Sequence, residues 1–112
     1  MANREIKFRA WDGKVMHVDL YEVEWLTDGS YNINEDVRIA QNGLMQYTGL
    51  KDKNGREIYE GDVVEAYERK CTVLYADIRA MYIAHDTWNE ALVNVANACT
   101  VVGNIHENPE LI

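Results

Sequence analysis

Residues 58–84 read IYEGDVVEAYERKCTVLYADIRAMYIA. Ile58-Tyr59, Val63 to Tyr67, Cys71 to Ala76 and Ala80 to Ala84 are runs of β-branched and aromatic side chains, broken by Glu60-Gly61-Asp62 and Glu68-Arg69-Lys70. Such runs, recurring every 8 to 12 residues or so with turn signals between them, describe a small antiparallel barrel or sandwich. Gly61 allows a sharp entry into the strand that begins at Val63.

Upstream, the same period of two continues. In Ile6 to Trp11 the alternation puts Ile6, Phe8 and Ala10 on one face and Lys7, Arg9 and Trp11 on the other. Asp12-Gly13 reads as a hairpin turn, and Val15 to Leu26 as one long, half-buried strand that bends. Thr27-Asp28-Gly29-Ser30 and Asn42-Gly43 are further turns in which Gly and Asn supply positive φ. Tyr31 to Ile33 and Leu44 to Tyr47 are short strands between them.

Downstream the period changes. Between Trp88 and Cys99, the residues Leu92, Val95, Ala96 and Cys99 fall at helical spacing, with Asn94 and Asn97 as weak helix formers among them. This predicts a short helix, followed by a strand from Thr100 to Ile105. Asn108-Pro109-Glu110 is a helix start, with Asn as N-cap and Pro at the first helical position, and only one closing turn can follow. The reading is mainly β with at most one or two short helices, in an N-terminal hairpin lobe (1–43) and a barrel-like lobe (44–112).

Composition bounds the rest. The 112 residues, 47% hydrophobic and 27% charged, are enough for one domain with a true core and too apolar for disorder. No stretch approaches the length of a membrane span, and the N-terminus lacks the apolar core of a signal peptide, so a cytoplasmic protein is expected. Cys71 and Cys99, far apart and outside any C-x-x-C pattern, are then expected as thiols. Eleven Lys and Arg against 19 Asp and Glu leave a net charge of −8, which opposes a polyanion partner.

Residues 44–64, LMQYTGLKDKNGREIYEGDVV, together with the C-terminal VVGNIHENPELI and the opening REIKFRAWD, carry a resemblance. The chain resembles the YopX family of bacteriophage and prophage proteins. The blocks that bear it are Gly49-Leu50-x-Asp52-x-Asn54-Gly55, then Tyr59 with Gly61-Asp62, then Gly103-Asn104 and Asn108-Pro109. His106 departs from the family, which more often has an aromatic residue such as Tyr there, and residues 21–41 are the least family-like. The resemblance implies a mostly β protein whose C-terminal part is similar to an SH3-type barrel, and it brings no agreed activity or catalytic residue.

The blocks have a physical reading of their own. Asp52-Lys53-Asn54-Gly55 looks superficially like a calcium loop, but placing Gly55 at position 6 puts Leu50 and Gly61 where the end ligands belong, and neither offers a carboxylate. A tight hairpin fits better, with Asn54 and Gly55 at positive φ and Asp52 accepting a backbone N–H across the turn. His17, His85 and His106 with the two cysteines lack the short spacings of a zinc site. Neither a nucleophile elbow nor a phosphate loop is present, so no enzyme, metal or cofactor is expected.

Charge is uneven. Arg4, Lys7, Arg9 and Lys14 make the first hairpin basic, whereas Asp19, Glu22, Glu24, Asp28, Glu35 and Asp36 follow without a single Lys or Arg. The plain reading is solvated sheet faces with cross-strand ion pairs. The functional one is an interaction protein that forms a homo-oligomer, most simply a dimer, through Trp11, Tyr21, Glu22, Glu24 and Trp25, and that also meets a host or phage protein. The alternative is a nucleic-acid module using the basic hairpin and the barrel aromatics.

Overall fold

The computed structural model describes residues 5–34, 37–86 and 89–112. Arg4, Glu35, Asp36 and Trp88, on which parts of the sequence reading rest, lie outside them. The protein is mainly β. It divides into two compact units, 1–47 and 48–112.

In the first unit, β1 (Phe8–Trp11), β2 (Met16–Leu20) and the first half of β6 (Leu44–Lys51) pair antiparallel in the order β2-β1-β6. A second sheet holds β3 (Glu24–Trp25), β4 (Tyr31–Asn34) and β5 (Val37–Ile39) in sequence order. Ala10, Tyr31, Ile33 and Ile39 form the buried cluster, with Leu20, Val23, Val37 and Leu44 packed against it.

The expected long strand from Val15 to Leu26 is instead two strands in different sheets. The first of them ends at Leu20, and within it Asp19, at φ 55°, makes a β-bulge: Ala10 faces His17 but Phe8 faces Leu20, so β2 holds one residue more than β1 between these pairs. The bulge shifts the phase of the alternation, and Val18 turns to solvent. Both faces of β1 are buried in part: Ala10 joins the core, and Arg9 on the opposite face turns inward too. Ile6 is 63% exposed, whereas Lys7 and Arg9 are only 5% and 6% exposed. Lys7 Nζ is held by Glu5 (3.3 Å) and Asp19 (3.4 Å) and lies 5.3 Å from the Tyr47 ring centre, while Arg9 Nη2 reaches Met45 Sδ at 3.6 Å. A charged end so partnered can accompany its aliphatic stem inward.

Asn42-Gly43 is not a positive-φ turn but part of a 3-10 turn, Gln41–Gly43. Glycine is needed there for space, since a Cβ would lie 2.5 Å from the Trp11 carbonyl oxygen.

The second unit contains β7 (Glu57–Tyr59), β8 (Asp62–Ala66), β9 (Arg69–Ala76), β10 (Met81–His85), β11 (Asn89–Ala91) and β12 (Thr100–Asn104). Its five-stranded antiparallel sheet runs β11-β10-β9-β8-β12. Three hairpin-connected strands and a later one returning beside the first make the Greek-key order common in small β barrels and sandwiches. The β8–β9 turn is Tyr67-Glu68, both at positive φ, so Arg69 and Lys70, expected with Glu68 in the break between strands, belong to β9.

The expected helix over Trp88 to Cys99 shrinks to one α turn, α1 (Leu92–Val95), entered from β11 and followed by a 3-10 turn over Ala96–Ala98. The hydrophobic spacing was right, but Asn94 and Asn97 favour helix too weakly to extend it. Leu92, Ala96 and Cys99 still point inward, closing the core formed by Ile58, Val64, Val73, Ala84 and Val101.

Candidate functional site

Each family block proves to be a device for satisfying backbone groups in the second unit. Asp52, 5% exposed, accepts the N–H groups of Asn54 and Arg56 on Oδ1, both at 2.9 Å, and that of Val101 on Oδ2, also at 2.9 Å. One carboxylate thus shapes a turn and ties it to β12, 49 positions away in the chain. Burial pushes the Asp52 carboxyl up, but the bonds from Val101, Arg56 and Asn54 outweigh this and hold it below its ordinary value of 3.8. Only Gly55, not Asn54, takes positive φ, at 84°.

Beyond its own chain neighbours no atom lies within 4 Å of where a Gly55 Cβ would stand, so the cost of a side chain there is conformational. Gly55→Val is expected to destabilise by about 1–3 kcal/mol. A thermal melt matching the parent would show that the turn can relax into another form.

Asp62 accepts the Tyr59 N–H at 2.8 Å. Gly61, at φ 81°, donates its N–H to Val73 O and accepts that of Ile105, each at 2.8 Å. Asn104 Oδ1 accepts the N–H groups of His106 and Glu107, and its Nδ2 donates to Glu107 Oε1. Asn108 does precede a 3-10 turn with Pro109 at its start, but its side chain does not cap that turn. Its Oδ1 instead accepts the Asn104 N–H at 3.2 Å, over Gly103, where a Cβ would stand 2.6 Å from that oxygen. Gly49 has φ 85° within β6, and Leu50 packs on the core.

The residues expected at an interface divide by environment. Trp11 is half-buried on β1, while Tyr21, Glu22, Glu24 and Trp25 are exposed. Trp25, 76% exposed, sits on β3, an outer strand of its sheet, with its ring edge-on to Tyr31 at 5.3 Å.

A cleft of about 160 Å³ opens in the second unit, lined by Val64, Ala66, Cys71, Ala84 and Val95 below and by Tyr67, Arg69, Asp86, Asn89 and Glu90 around them. Register explains the floor: Val64 pairs with Cys71, Ala66 with Arg69 and Ala84 with Val73, so these side chains share a face. Arg69 grips Asp86 with two bonds, Nε to Oδ2 at 2.7 Å and Nη2 to Oδ1. Burial and the nearby Asp86 charge push the Cys71 thiol up, which keeps it protonated and a poor nucleophile. Both cysteines are free, and among the described residues no three His, Cys, Asp or Glu side chains converge as a metal site requires. Sequence reasoning did not find the Arg69–Asp86 pair. Its members are 17 residues apart, and only the β9–β10 register brings them together.

The chain matches the YopX protein family over residues 7–112. It belongs to that family. The crystal structure of protein EF1440 from Enterococcus faecalis is similar to it, with 29% identity and a TM-score of 0.64 over 97% of this chain and 99% of that one. No curated protein matches the sequence. The family match therefore covers all three backbone-tying blocks as well as the cleft.

Proposed function

We propose that the protein is a non-catalytic interaction module of phage or prophage origin that self-associates in the cytoplasm of its bacterial host. The observation that carries this reading is Trp25, 76% exposed on an outer strand and flanked by exposed Tyr21, Glu22 and Glu24. A large aromatic ring in that position is a liability on a monomer and an anchor at a two-fold interface, where an outer strand also finds cover. The phage origin rests on the family resemblance. The cytoplasmic setting is consistent with free thiols, and among the described residues no helix is long and apolar enough to cross a membrane.

The nucleic-acid alternative is weakened by burial. Of the basic residues it needs, Lys7 and Arg9 are turned inward, and Lys7 is paired with Glu5 and Asp19. Few counterions would be released by what is left of the stripe. Mobility shift at physiological salt should show no tight binding of DNA or RNA.

Light scattering across micromolar concentrations is expected to report twice the chain mass, falling to the monomer in Trp25→Ser, whose melting temperature should lose only what association contributes and no longer depend on concentration. A monomeric parent would end the proposal. An intact oligomer of Trp25→Ser would place the interface elsewhere.

A further inference from the structure

The cleft beside α1 has a chemical character that self-association does not use. Its floor is apolar, from Val64, Ala66, Ala84 and Val95, and it is about as large as the 150 Å³ or so engineered cavity that holds benzene. It can therefore take one short alkyl chain or one ring. Three charges stand around it, Arg69, Asp86 and Glu90. Arg69 and Asp86 hold each other in a bidentate pair, so their fields largely cancel. Glu90 is left over: among the described residues it accepts a bond from Asn94 Nδ2 at 2.9 Å and pairs with no cation. The local balance is one negative charge, on a chain whose net charge is −8. Tyr67, exposed and lining the cleft, adds an aromatic ring, a group to which a cation is attracted. An anion entering here would meet Glu90 and the field of the whole protein, whereas a cation would be drawn in by both.

We propose that this cleft binds an alkylammonium group, with its hydrocarbon portion on the Val64–Val95 floor and its charge beside Glu90 and the Tyr67 ring. The group could be a free amine or the lysine side chain of a partner protein, and one titration distinguishes them.

Backbone amide resonances of the full chain would be followed by NMR during addition of n-butylammonium, N-acetyl-lysine methylamide, butyrate or 1-butanol. Saturable shifts at Val64, Cys71, Ala84 and Val95 are expected with an ammonium probe and not with butyrate. If the lysine compound binds at least as well as butylammonium, the natural occupant is a partner's lysine. If butylammonium alone binds, it is a free amine. Glu90→Gln should weaken ammonium binding about two- to five-fold, the worth of one exposed ion pair, while Asp77→Asn, at the far tip of the β9–β10 hairpin, should match the parent. Glu90 and Asp77 are both exposed, so neither change threatens the fold, and melting curves would verify this. The proposal is overturned if neither ammonium probe saturates these shifts, if butyrate or butanol binds as well as butylammonium, or if Glu90→Gln leaves the affinity unchanged. None of these results bears on the oligomeric state, so this test and that of self-association stand apart.

Discussion

Asp52→Ala is expected to lower the unfolding free energy by about 3–5 kcal/mol, a large part of what a domain of this size possesses. The substitution strips acceptors from the N–H groups of Asn54, Arg56 and Val101 at once. Water can replace the carboxylate for the first two, which lie in an exposed turn. It cannot easily do so for Val101, whose residue is buried, and an orphaned buried donor carries its full desolvation cost. Asp52→Asn keeps one acceptor oxygen and should lose roughly half as much. Urea unfolding at neutral pH measures both, and a loss under about 1 kcal/mol for the alanine variant would mean that the carboxylate is not what holds β12 to the turn.

The same residue predicts an acid limb. Its folded-state value lies below 3.8, so the unfolded chain binds the proton more readily. The stability it contributes is complete above the ordinary carboxylate range and disappears as pH falls through the lowered value. Asp12, lowered to about 2 by the backbone N–H of Val15, by His17 and by the N–H of Lys14, acts in the same direction, though it is exposed. The stability of Asp52→Ala should therefore depend less on pH than that of the parent across the acid range.

Leu92→Ala should cost about 2–5 kcal/mol, whereas Val93→Ala, one residue on and 65% exposed, should stay within about 0.5 kcal/mol of the parent. A single α turn has no stability of its own, because nucleation is unfavourable and too few bonds follow it. What keeps α1 in place is Leu92, fully buried among Ile58, Val64, Val73 and Ala84. Denaturation curves compare the two variants. Equal losses would show that the segment is held by its backbone and not by that side chain.

These two residues also mark what sequence could and could not convey. The helical spacing of Leu92, Val95, Ala96 and Cys99 correctly named the inward positions, because burial depends on phase, but it overstated the helix, whose length depends on propensity and on the strand that precedes it. For Asp52, the bonds across its own turn were legible because they are local. The bond to Val101 was not, since it exists only once β12 has returned to β8. The bulge at Asp19 and the inward turn of Lys7 and Arg9 escaped a simple alternation for one common reason. Period-two reasoning assumes an unbroken pleat and treats charge as outward-facing, and here Glu5 and Asp19 supply a buried ammonium with its partners. Arg69 and Asp86 met through register alone, which nothing in their local sequence encodes.

The turn between β8 and β9 adds a last consequence. Its two loop residues, Tyr67 and Glu68, have φ of 52° and 64°, angles that asparagine and glycine adopt far more readily. The path of the chain there does not demand a phenol or an acid, so the stress belongs to the choice of side chains and not to the hairpin. The turn is therefore a place where a change of two side chains alone would relieve the backbone, with the strand pairing from Val63 to Ala66 left as it is. A version rebuilt with Asn-Gly would be a stiffer clasp, and it would have no ring to offer the cleft.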